Sequence, residues 1–80
     1  MTPDQARQLV RAELLRIVPD AAIDVIPADA DLREELELDS LDFQSFVAQL
    51  SERTGHRIDE DDYGHLRTLA GCVEFLATRD

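Results

Sequence analysis

The sequence has no lysine, no tryptophan and a single cysteine, and each scarcity narrows what the chain can be. All eight basic residues are arginines, set against eighteen Asp and Glu, for a formal net charge of -10 in 80 residues. Nucleic-acid phosphates and anionic membranes carry the same sign of charge, so neither is expected as a partner, and basic protein surfaces are. The same acidity also serves as a solvated surface that keeps a protein in solution. Aromatics make up only 5% of the composition while hydrophobic residues make up 44%, so the core has to be mainly aliphatic. Cys72 has no second cysteine to pair with inside the chain, which fits a reducing, cytoplasmic setting. No apolar run reaches the length of a membrane span, and charges interrupt MTPDQARQLVRAELL where a signal peptide would need an apolar stretch.

A chain this short is expected to form one domain, residues 1–80, around one modest core, with little wall for an enclosed active site. Thr2, Pro3 and Gln5 together predict a helix start, with Thr2 as N-cap, proline in the first turn and Gln5 closing a capping box. Ala6, Leu9, Val10, Leu14, Ile17 and Val18 then recur at three- and four-residue steps, flanked by Arg7, Arg11, Glu13 and Arg16, and Pro19 ends the helix at Val18. From Pro19 to Asp39 runs a long connection with at most one turn, around Asp31 to Glu35. Ile23, Val25 or Ile26, Leu32, Leu36 and Leu38 are its expected anchors to the core.

A second long helix is expected from DSLD, with Asp39 as N-cap, to Thr54, where Gly55 supplies the stop. Its buried stripe is Phe43, Phe46, Val47 and Leu50. Ile58, Tyr63 and Leu66 reach the core from a short third helix, and Thr68 caps a last one with Leu69, Cys72, Val73 and Leu76 as its stripe and Phe75 at the edge. No internal repeat and no alternating segment appears, so the fold class is all-α: a small antiparallel bundle of four helices with a long first loop and a short third helix.

At about 100° per residue, Leu41 projects about 170° away from the stripe of the second helix, so it faces solvent beside Ser40. Ser45, Ala48 and Glu52 line up beneath it, rimmed by Asp39 and Asp42, on a face that suits a partner better than a core. Ser40 itself lies on the first turn, where open backbone N–H groups and the positive end of the helix dipole favour a negatively charged substituent. A plain capping role shared with Asp39 is the competing reading of this serine.

The run LELDSLDFQSFVAQLSERTG, followed by an isoleucine and an acidic cluster, closely resembles acyl carrier proteins around their D-S-L motif, and the order of helices and loop is similar throughout. The resemblance implies that Ser40 is the attachment point of a 4'-phosphopantetheine arm derived from coenzyme A. It further implies that Leu41 contacts partners and that Asp42 is the first acid of the recognition helix, with Asp39 as the preceding aspartate. The function so implied is carriage of acyl groups as thioesters in fatty acid, polyketide or related biosynthesis, by a non-catalytic protein expected to be a monomer. Its partners would be a phosphopantetheinyl transferase and acyl-loading, condensing or modifying enzymes with basic docking patches. Two residues depart from the family pattern. Glu37 stands where a glycine is common, and Ser45 where many fatty-acid carriers have a glutamate, which points to a specialised set of partners.

Other readings are weaker. An aminoacyl or peptidyl carrier, or an adaptor that kept the docking surface and lost the arm, would share most of these features. A hydrolase built on Ser40, Asp39 and His56 or His65 lacks a G-x-S-x-G elbow. The acidic run Asp59, Glu60, Asp61, Asp62 with Gly64 begins like a calcium loop but has Tyr63 at the fifth position and Ala70 at the twelfth, so it is expected to cap the short helix. Cys72, Phe43 and Phe46 are expected in the core.

Overall fold

Thr2 opens the first helix, α1 (Pro3–Ile17), with a reciprocal pair of hydrogen bonds. Its Oγ1 accepts from the Gln5 N–H at 3.1 Å, and its own N–H donates to Gln5 Oε1 at 3.0 Å. This is a computed structural model, and it describes residues 1–78. Val18 caps the far end of α1 just before Pro19. Ala6, Val10 and Leu14 are buried as the periodicity predicts, but so is Glu13, which the sequence pattern places on the polar flank. Arg53 Nε lies 3.2 Å and Arg16 Nη1 3.8 Å from Glu13 Oε1, and both arginines keep about half of their side chain in solvent. The two guanidinium groups give the buried carboxylate the opposite charge that burial of an ionised group requires.

The long connection is ordered by anchors and by two short turns. A 3₁₀ turn spans Ile23–Val25. Ile23 and Ile26 pack against the core while Val25 is 77% exposed, so Ile26 is the second anchor. A one-turn helix, α2 (Leu32–Glu35), follows, capped by Asp31 and pinned by the buried Leu32. Leu32 N–H donates to the Arg67 carbonyl at 2.7 Å, Ala70 N–H to the Ala28 carbonyl at 2.9 Å, and Arg67 Nη2 to Asp31 Oδ2 at 2.6 Å. These three bonds fasten the connection to the start of the last helix.

The second long helix, α3 (Ser40–Thr54), has the predicted limits and stops at Gly55, whose φ of 73 lies in the left-handed region glycine tolerates. A 3₁₀ helix, Glu60–Leu66, is started by the Asp59 N–H donating to Asp62 Oδ2 at 3.1 Å, so the acidic run caps this element as expected. The last helix, α4 (Leu69–Ala77), begins at Thr68, whose Oγ1 accepts from the Gly71 N–H at 2.9 Å. α1 packs against both α3 and α4, and α4 against the 3₁₀ helix. The all-helical bundle expected from the sequence is the fold observed, with no strand among the described residues.

The core unites Leu32, Leu38, Phe43, Phe46, Val47, Leu50 and Leu66 with the buried faces of α1 and α4. On α4 the buried residues are Cys72, Phe75 and Leu76, while Leu69 and Val73 are only half-buried, so the face is rotated from the predicted stripe and Phe75 belongs to the core. Burial pushes the Cys72 thiol up to about 12, and its Sγ donates to the Leu66 carbonyl at 3.3 Å, which makes it a packing residue.

Gly71 lets α4 lie against the 3₁₀ helix, because a Cβ built there would run into the His65 carbonyl. Gly71→Ala is therefore expected to lower stability in urea denaturation by about 1–3 kcal/mol, with Gly64→Ala, where a Cβ meets open space, as the mild control. The Arg67 guanidinium, assisted by the Glu34 and Arg33 N–H groups, holds the Asp31 carboxyl below its ordinary value of 3.8 against a smaller opposing effect of burial. A depressed folded-state pKa stabilises above the ordinary value and is lost as pH falls through the folded one. The melting-temperature gap between wild type and Asp31→Asn is accordingly expected to be constant near neutrality and to close on acidification below 3.8.

Candidate functional site

α2 ends in a turn that aims the chain into α3. The Leu38 N–H donates to the Arg33 carbonyl at 2.9 Å and the Glu37 N–H to the Glu34 carbonyl at 3.4 Å, the paired bonds of a Schellman motif. That motif needs its penultimate residue in the left-handed region, and Glu37 adopts φ 54 there, as the one described non-glycine residue with positive φ. The position where glycine is common in the resembling family is thus one where the backbone asks for glycine. The turn drops Leu38 into the core beside Leu32 and leaves Asp39 extended.

Asp39 then caps α3. Its Oδ1 accepts from the Asp42 N–H at 2.8 Å and its carbonyl from the Phe43 N–H at 3.0 Å. The N–H groups of Ser40 and Leu41, at the first two helical positions, have no acceptor within the helix. Ser40 is exposed, with its Oγ at the mouth of α3. Arg33 Nη2 donates to that Oγ at 3.5 Å, while the Arg33 guanidinium lies over the Phe43 ring, 5.5 Å from its centroid. Phe43 in turn meets Tyr63 edge-on at 5.6 Å. Arg33, Phe43, Tyr63, Gly64 and Arg67 line an open cleft of about 310 Å³ that adjoins Ser40 through Arg33.

The four residues that the helical projection turned outward, Leu41, Ser45, Ala48 and Glu52, are all exposed, Leu41 to 72%. Asp39 is exposed as well, and Asp42 is half-buried. Neither histidine joins Ser40. His56 lies beyond the far end of the fifteen-residue α3, roughly 20 Å away along the axis, and His65 stacks on Phe75 at 6.1 Å. The residue that sequence reasoning missed is Arg33. Its only signal was that it is the sole basic residue between Arg16 and Arg53.

Comparison with known proteins bears on the same residues. A family model described as a phosphopantetheine attachment site matches residues 4–76. The chain is 27% identical over 66 residues to an acyl carrier protein of Arthrobacter sp. (strain FB24), covering 82% of each chain. It is 32% identical over 54 residues to one of Chlamydia trachomatis serovar D, covering 68% of this chain and 70% of the relative. With one of Lactobacillus johnsonii it shares 34% identity over 53 residues, 66% of each chain.

The left-handed backbone at Glu37 costs an L-residue about 1–2 kcal/mol, and glycine's looser unfolded chain gives back about half of that. Glu37→Gly is expected to raise stability by about 0.5–1 kcal/mol and the melting temperature by a few degrees, read by circular dichroism.

Proposed function

Since the chain belongs to the acyl carrier protein family and has its phosphopantetheine attachment site, we propose that Ser40 bears the 4'-phosphopantetheine arm and that the protein carries acyl intermediates of fatty acid, polyketide or related biosynthesis in the cytoplasm. The observation that carries this reading is the Ser40 hydroxyl, exposed on the first turn of α3 within a D-S-L-D start. Open N–H groups, the positive helix end and the Arg33 guanidinium all favour a negative substituent on that oxygen, so the residues present fit the group. When bound, the arm supplies a terminal thiol that holds the cargo as a thioester, activated for acyl transfer.

The protein's own contribution is to present and to dock. Asp39 holds the first turn of α3 by accepting from Asp42, so the Ser40 oxygen is offered at a fixed end of a rigid helix. Leu41, Ser45, Ala48 and Glu52 give partners an outward face with one large apolar contact, and Asp39, Asp42 and Glu52 give it negative charge. Such a face draws basic docking patches at a rate that falls as salt rises, and its small apolar area keeps the complexes short-lived. The first partner would be a phosphopantetheinyl transferase; acyl-loading, condensing or modifying enzymes would follow. The neutral Ser45 removes one charge from this face, which would select partners that do not rely on an acid there.

Intact mass spectrometry after incubation with coenzyme A, magnesium and a broad-specificity transferase tests the proposal. The wild-type chain is expected to gain the mass of one phosphopantetheine and Ser40→Ala to gain none. A wild-type chain that stays unloaded by several competent transferases would refute it.

A further inference from the structure

Seven arginines lie among the described residues, and six of them have a carboxylate oxygen within 4.0 Å. Arg7 meets Asp4, Arg11 meets Asp24, Arg16 and Arg53 meet Glu13, Arg57 meets Asp59, and Arg67 meets Asp31. Arg33 is the one without such a partner among the described residues, although Glu34, Glu35, Glu37, Asp39 and Asp42 surround it in sequence. Its guanidinium is instead turned to the Ser40 oxygen at 3.5 Å. Resting on the reading of Ser40 above, we propose that Arg33 is a positioning residue for the arm, its guanidinium being the counter-ion of the phosphate carried on Ser40.

The placement of Arg33 is built by the fold from three sides. Its N–H donates to Asp31 Oδ1 at 2.9 Å and its carbonyl accepts from Leu38 at 2.9 Å, so the backbone is held at both ends of the residue. The Phe43 ring lies beneath the guanidinium, 5.5 Å from Cζ to its centroid, within cation–π reach. A planar, delocalised cation with several N–H donors matches the oxygens of a phosphate, where a carboxylate-paired arginine would have its donors already engaged. The charge of the neighbourhood favours such a group. A phosphodiester on Ser40 adds a negative charge to a stretch that carries Glu34, Glu35, Glu37, Asp39 and Asp42, and Arg33 is the cation within reach that offsets it.

Two forms of the full chain test this: one loaded on Ser40 by a transferase, and one synthesised with phosphoserine at position 40. In the phosphoserine form, the second phosphate pKa, ordinarily about 6, is followed by phosphorus NMR at low salt. Arg33→Gln is expected to raise it by about half a unit, and Arg33→Lys to restore most of the wild-type value. In the loaded form, Arg33→Gln is expected to shift the phosphodiester resonance and to change its dependence on added salt. Circular dichroism on the same samples verifies that the helices are intact. Equal phosphate pKa values in the wild-type and Arg33→Gln chains, with unchanged helix content, overturn the proposal. A chain that gains the arm but shows no effect of Arg33→Gln on either phosphorus signal defeats the role of Arg33 alone. A chain that cannot be loaded defeats the reading of Ser40, and the role of Arg33 with it.

Discussion

Asp31 divides its two carboxylate oxygens between the start of α2 and the arginine that precedes α4, and the position of Ser40 follows from that division. Oδ1 accepts from the Arg33 and Glu34 N–H groups, which starts a helix too short to stand by itself. Oδ2 accepts from Arg67, which ties that helix to the far side of the bundle across thirty-six residues of sequence. With α2 fixed, the Schellman turn at its end has one way to run. It buries Leu38, extends Asp39 and begins α3 with the Ser40 oxygen in solvent. A loop of ordinary flexibility would offer the same serine over a range of positions. Here three consecutive local structures, a cap, a reversed turn and a second cap, hold the backbone that leads to it.

The turn is also where the chain accepts strain. Glu37 holds a left-handed backbone that favours glycine, and nothing in its contacts explains why a glutamate stands there. Its consequence is electrostatic: it keeps an acid between α2 and α3, two residues before the cap of the helix that carries Ser40. Local stability and local charge pull in opposite directions at this position, and the sequence has favoured charge.

Features governed by a few neighbouring residues were legible in the sequence. Thr2, Asp39 and Thr68 cap their helices, Gly55 ends α3, and Phe43, Phe46, Val47 and Leu50 form its buried face, because capping and helical periodicity are decided within one or two turns. The outward placement of Leu41, Ser45, Ala48 and Glu52 follows from the same periodicity. What was not legible depends on elements distant in the chain. Glu13 is buried because Arg53 of α3 reaches over it, and Phe75 because α4 is rotated by its packing on α1 and the 3₁₀ helix. The choice between Val25 and Ile26 depended on a 3₁₀ turn that no residue signature marks. Arg33 was missed for the same reason: its approach to Ser40 exists only once α2 has been closed and turned.

A net charge of -10 and a cation at the proposed attachment point are compatible because they act over different distances. In physiological salt, charges are screened over about 8 Å, and in the summed field of a chain with a net charge of -10 a single arginine counts for little. Arg33 lies 3.5 Å from the Ser40 oxygen, inside the screening length, where it would act on a group carried there. Were Arg33 paired with one of the acids beside it, the distant field would be nearly the same and the local one lost. If Ser40 bears the proposed arm and basic proteins are its partners, the arrangement would separate two requirements that a uniformly acidic surface cannot meet together: attraction of those proteins from outside, and toleration of a phosphate at the centre of the face they approach.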